Sequence, residues 1–180
     1  MATILETGRA GRPARLLTAP RRVALVIGLV ALATVGGALV FEHGLGLKPC
    51  KLCLQQRVPY YVALPLALGV VLLARHRSPA RVGLVLIGLV FLGSAGLGAY
   101  HAGVEWGWFA GPSDCGGAAA PAPGSVEGFL RDLDRTRVVS CTEAAWRFLG
   151  LSLAGWNALI SLGLAGLAFA GARAGVARSL

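Results

Sequence analysis

Four long runs without an acidic or basic side chain dominate this sequence: Val23–Phe41, Val58–Ala74, Val82–Tyr100 and Phe148–Ala172. An α-helix needs about 20 apolar residues to cross a hydrocarbon layer about 30 Å thick. Inside lipid every backbone N–H and C=O must find a partner within the protein, which leaves helices or closed barrels. The runs do not alternate apolar with polar residues, so they predict helices rather than barrel strands. Composition agrees. Only 14% of the 180 residues are charged and 56% are hydrophobic, whereas a soluble domain carries about 25% charged residues. The expected fold is an all-α integral membrane four-helix bundle, with spans at about 23–41, 58–74, 82–100 and 150–172. Pro59 suits the first turn of the second helix, and Pro65 is expected to kink it. Gly88, Gly93, Gly96, Gly163 and Gly166 are expected to let helices approach closely. The first run is longer than the 7–15 apolar residues of a signal peptide, so it reads as a retained span.

The net charge of +9 would ordinarily raise nucleic acid as a partner. Its distribution argues otherwise. Residues 1–22, the short loop 75–81 and the tail 173–180 hold ten basic residues against the single acid Glu6. The other two loops, 42–57 and 101–149, hold seven of each sign. Basic residues next to spans stay on the cytoplasmic side. Both termini are therefore expected in the cytoplasm, with loops 42–57 and 101–149 outside. The charge becomes an orientation signal for a multi-pass protein of a bacterial inner membrane, with lipid rather than nucleic acid as its surroundings. Trp106, Trp108, Trp146 and Trp156 all lie in or near the second outer loop, where they are expected to form an interfacial belt.

All four cysteines fall on the outer side: Cys50 and Cys53 in the first loop, Cys115 and Cys141 in the second. That side is oxidising, so disulfides are permitted. Four cysteines allow three pairings, and the C-x-x-C spacing favours Cys50–Cys53, which would leave Cys115–Cys141. A redox pair competes here with purely structural disulfides. However, Cys50–Cys53 closes too short a loop to restrain the unfolded chain much. Zinc is a further reading, but structural zinc usually draws two close-spaced pairs, and no metal site is expected. Cys53 and Arg57 are four residues apart where the second helix should begin, so they would share a face. A helix N-terminus and a nearby guanidinium both favour a thiolate, and Lys51 adds positive charge. In the second loop, residues 116–124 are rich in glycine, alanine and proline and read as a mobile linker. Ser125 could then cap a short helix. Val126, Phe129, Leu130 and Leu133 lie on one face of it, which suits an amphipathic helix on the membrane surface.

The segment Phe41–Arg57 (FEHGLGLKPCKLCLQQR), the later Cys115 and Cys141, and Trp146–Asn157 (WRFLGLSLAGWN) together resemble the disulfide bond formation protein B (DsbB) family. The resemblance spans roughly Val23 to Ala172. It implies a membrane thiol oxidase that re-oxidises a periplasmic DsbA-type thioredoxin-fold partner. Electrons then pass through two cysteine pairs to the membrane pool of ubiquinone or menaquinone. By this resemblance Cys115 forms the mixed disulfide with the partner, and Cys141 engages Cys50. Cys53 is then the thiolate facing the quinone, with Arg57 assisting. Family members often carry a histidine near the quinone, which here falls on His101. A DsbA-type partner is itself a strong oxidant, near −120 mV, so its re-oxidation needs a strong terminal acceptor.

Two other functions fit parts of the sequence. A vitamin K epoxide reductase-like enzyme also combines four helices, C-x-x-C and quinone, but its C-x-x-C comes late in the chain. A non-enzymatic membrane scaffold would need only structural disulfides. The spans carry none of the buried charges that mark an ion or proton pathway.

Overall fold

The computed structural model describes residues 20–47, 49–112 and 140–174. Cys115 and the expected amphipathic helix after Ser125 lie outside the described residues. Four helices form the body: α1 (Pro20–Leu39), α2 (Lys51–Leu72), α3 (Arg77–Glu105) and α4 (Leu153–Ala174). A π-helical turn, Val40–Gly44, extends α1. A two-residue hairpin, β1 (Arg147–Phe148) with β2 (Leu151–Ser152), leads into α4. It is an addition to the all-α expectation, and Leu149 at its tip takes a left-handed φ of 53°. Among the described residues three helices are long and apolar enough to cross a membrane: α1 with its π turn, α3 and α4. In α2 the apolar run begins only at Val58, after a head that contains Lys51, Gln55, Gln56 and Arg57.

The helices pack in chain order, with α3 against α4 as the most extensive contact. Their interior is sorted by size. Ala24, Ala31, Ala63, Ala67, Ala80, Ala165 and Ala168 are buried, around Ile27, Leu84, Ile87 and Phe91. Large leucines such as Leu29, Leu68, Leu89 and Leu162 face outward. Water would reject that outer face. Lipid accepts it, because in lipid helix association rests on close packing rather than on hiding apolar surface.

Several sequence expectations are corrected. The second helix starts at Lys51, ahead of the expected span at 58–74, and the Cys50 sulfur caps it by accepting from the Cys53 N–H at 3.2 Å. Pro59 therefore lies inside α2 rather than in its first turn. Helix α3 extends five residues past Tyr100, so His101 and Glu105 belong to a helix and not to the loop 101–149. Among the five expected contact glycines only Gly88 serves, against the ring of Phe169; Gly93, Gly96, Gly163 and Gly166 have open space beside them. At Gly98 helix α3 meets backbone rather than side chain: an added Cβ would stand 2.9 Å from the backbone nitrogen of Ala158.

Candidate functional site

The end of the bundle that holds the C-x-x-C pair also collects the polar side chains. Cys50 precedes α2 with extended backbone (φ −74°, ψ 170°), which turns its sulfur back over the first helical turn. There it lies 2.7 Å from the Cys53 sulfur. The apolar run of α2 begins at Val58, so both thiols lie outside the spanning part. Their environments drive them apart. The hydrogen bond it gives to Cys53, together with burial, pushes the Cys50 thiol up to about 12. That same hydrogen bond, received by Cys53, holds the Cys53 thiol below its ordinary value despite burial. In the reduced pair Cys53 is therefore the sulfur that ionises more readily, with Cys50 as its hydrogen-bond donor.

The sequence attributed the lowering to the helix N-terminus, Arg57 and Lys51. In the fold the Arg57 guanidinium donates instead to the Glu42 carboxylate, at 2.5 Å. The π turn makes this possible by carrying Glu42 over the head of α2. The four-residue spacing from Cys53 puts Arg57 on the wall of the same cavity, but the local cause at Cys53 is the neighbouring thiol.

Cys141 is fully buried. It reaches the first pair from far along the chain: the donor atoms of Cys50, His101 and Cys141 all lie within 4.8 Å of one another. Leu52, Leu97 and Val104 enclose the sulfurs. Such a group of donors could also take a thiophilic cation, although structural zinc sites usually close with a fourth ligand. Cys115, the remaining cysteine, falls outside the described residues.

His101 sits in the last turn of α3, with its Nε2 3.7 Å from the Cys50 sulfur. Glu105, one turn on, is 5% exposed and approaches that nitrogen at 3.9 Å. Its second oxygen is buried without a hydrogen-bond partner among the described residues. On the other side of the ring, the Gln56 amide donates to His101 Nδ1 at 2.6 Å. Asn157 donates to Gln56 at 2.6 Å, and Tyr60 donates to Asn157 at 2.6 Å. Ser161 and Ser94 continue the series, 3.1 Å from Tyr60 and 2.9 Å from each other. This chain joins α2, α3 and α4. Sequence reading missed it, along with Glu42 and Glu105. A signal was present: Gln56 with Tyr60 and Asn157 with Ser161 are each spaced i, i+4, so each pair shares one helix face.

A cavity of about 300 Å³ opens beside Cys53, Arg57, His101 and Tyr60. Its walls are mostly apolar, with Ala33, Gly37, Leu153 and Ile160 among them. A second cleft, between Pro65 of α2 and Val82 of α3, has no titratable side chain in its lining. Aromatic rings crowd the cysteine end. Trp106 meets Trp108 at a centroid distance of 4.8 Å, and Trp146 stacks on Phe148 at 5.8 Å. The Trp156 indole donates to the Phe148 carbonyl at 3.0 Å.

Comparison with known proteins gives a consistent result. The family model described as disulfide bond formation protein DsbB matches residues 20–171. A disulfide bond formation protein B from Marinobacter nauticus is 36% identical over 156 residues, covering 77% of this chain and 88% of the relative. One from Polaromonas sp. is 31% identical and covers 82% of this chain and 89% of the relative. One from Nitrosomonas europaea is 32% identical, with 79% and 87% covered.

Proposed function

The chain belongs to the disulfide bond formation protein B family, and from that premise we propose that it is a quinone-dependent thiol oxidase serving a DsbA-type dithiol protein. The observation that carries this reading is the burial of Cys141 against Cys50 and His101. A static disulfide scaffold has no need to hold a third cysteine there, whereas thiol exchange requires it.

The proposed exchange conserves electrons and atoms. A thiolate of the partner attacks Cys115, the Cys115–Cys141 bond breaks, and Cys141 leaves as thiolate. Cys141 attacks the Cys50 sulfur, the Cys50–Cys53 bond breaks, and Cys53 leaves. The second thiol of the partner resolves its mixed disulfide, which frees Cys115. Cys115 then attacks Cys141, regenerating the second pair and releasing Cys50. The partner has lost two electrons and the Cys50–Cys53 pair has gained them. Attack at Cys50 expels Cys53, the sulfur whose thiolate is the better stabilised of the two, and low-pKa thiols leave faster.

The donor set beside Cys53 fits a quinone. The cavity is apolar along most of its lining, as a ring and prenyl tail require, and polar at Arg57, Gln56 and His101. When bound, ubiquinone or menaquinone supplies a two-electron acceptor that ends as the quinol. Arg57, oriented by Glu42, would hold positive charge where a quinone oxygen gains negative charge. The charge distribution supports an inner-membrane location with both termini cytoplasmic and the cysteines on the periplasmic side.

The direct test mixes the purified protein with a reduced thioredoxin-fold partner and a ubiquinone analogue, and follows quinone absorbance. Oxidation of the partner should match quinone reduction mole for mole. No quinone reduction by the intact protein would sink this reading. If Cys115→Ser left partner oxidation intact, the partner-facing role would belong to another cysteine.

A further inference from the structure

The polar chain behind His101 has a direction, and the direction has a chemical consequence. Tyr60 has a single hydroxyl proton. It donates that proton to the Asn157 oxygen, which leaves the Asn157 amide NH2 to face Gln56. The Gln56 oxygen accepts from it, so the Gln56 NH2 faces His101 Nδ1. An amide nitrogen only donates. Nδ1 must therefore present its lone pair, and the proton of the neutral imidazole sits on Nε2. That nitrogen is the one beside the Cys50 sulfur.

Gln56 is 6% exposed. Polar groups at such a site cost free energy unless every one is paired. Packing alone would be served by apolar side chains, so amides lined up in one sense suggest a role beyond holding α2 to α4.

We propose that Gln56, oriented by Asn157 and Tyr60, is a positioning residue that fixes His101 as its Nε2–H tautomer and thereby presents an N–H donor to Cys50 when that sulfur is released from Cys141. The inference rests on the exchange sequence proposed above. Release of Cys50 is its hardest departure, because Cys53 and burial hold the Cys50 thiol near 12. A thiolate of high pKa leaves slowly. The hydrogen bond from His101 acts in the opposite sense on Cys50, so the imidazole helps where the leaving group is poorest. The titratable groups that face His101 are Cys50 at the head of α2, Cys141 from the second loop and Glu105 on its own helix. Arg57 and Glu42 line the same cavity and are paired with each other.

The test reads the tautomer directly. The full-length protein, labelled with ¹³C and ¹⁵N histidine in lipid nanodiscs, is examined by NMR, with the His101 signals identified from their loss in His101→Asn. The wild type should show Nε2–H. Gln56→Leu should give a mixture, and Gln56→Glu, whose carboxylate accepts from Nδ1–H, should reverse the tautomer. In single-turnover reactions quenched with acid, decay of the Cys50–Cys141 mixed disulfide should slow about tenfold in Gln56→Leu, the effect expected for one hydrogen bond to a charged group. Asn157→Leu should slow it less. An Nδ1–H tautomer in the wild type overturns the inference, and this measurement needs no variant to fold. So does a tautomer unchanged in Gln56→Leu, or mixed-disulfide decay at the wild-type rate. Failure of the wild type to reduce quinone would sink the oxidase reading instead, and the NMR result does not depend on it.

Discussion

The two ends of this bundle are built on different terms. Toward the Val23, Ala80 and Ala172 end, the helices meet through alanine, valine and leucine, and shape alone holds them. Toward the cysteine end, the same helices are joined by directional bonds: Glu42 to Arg57, Gln56 to His101, Asn157 to Gln56. Lipid explains the first, since apolar helices associate there by fit. Chemistry explains the second. A thiol exchange needs sulfurs and donors held within a few tenths of an ångström, and hydrogen bonds fix direction in a way that alanine packing cannot. One end keeps the helices together, and the other aims them.

This contrast can be broken by experiment. The largest effect belongs to Cys53→Ser, which should take quinone reduction to background while the thermal midpoint in detergent stays near that of the wild type. A large loss of stability would mean that the cysteine end also carries the fold. Next, Phe91→Ala empties a buried ring site against Tyr60 and should cost about 3 kcal/mol, read as a lowered denaturation midpoint, with the alkylation profile of Cys53 unmoved. Gly98→Ala should cost roughly 1–3 kcal/mol through its clash with the α4 backbone, while Gly93→Ala, with open space beside it, should be silent. A pH experiment sharpens the other side. In the reduced protein Cys53 should alkylate as a thiolate at pH values below its ordinary 9.0, losing reactivity only as pH falls through its lowered pKa. Cys50→Ala removes the donor and should move that profile up toward 9.0. A profile that stays put would return the lowering to Arg57. The smallest effect is that of Glu42→Gln on stability, under about 1 kcal/mol for a partly exposed ion pair, even as it frees Arg57.

Three of the four spans, the family and the gathering of Cys50, Cys53 and Cys141 at one end were legible because they rest on long apolar runs and on local spacing. The helix boundaries were less so. Helix α2 begins at Lys51, capped by a cysteine sulfur, and sulfur is not among the oxygen-bearing caps that sequence patterns favour. Helix α3 continues past Tyr100, where His101 is buried against Cys50 and Gln56 at the head of α2, contacts between helices that no local pattern announces. Gln56, Tyr60 and Asn157 are polar but uncharged, so no charge pattern marks them. The hairpin before α4 uses Leu149 where turn chemistry prefers glycine or asparagine. The approach of Cys141 to Cys50 is a property of the whole fold.

All four tryptophans stand at the cysteine end, at the close of α3 and the start of α4. The molecule therefore carries a native optical label confined to its reactive end. Indole emission reports on that end and is blind to the other, and thiols and disulfides nearby quench it. The Trp106–Trp108 pair, near enough for exciton coupling, adds a near-ultraviolet dichroism signal from the same place. Each redox state of the cysteines should thus be readable in the unmodified protein by light alone.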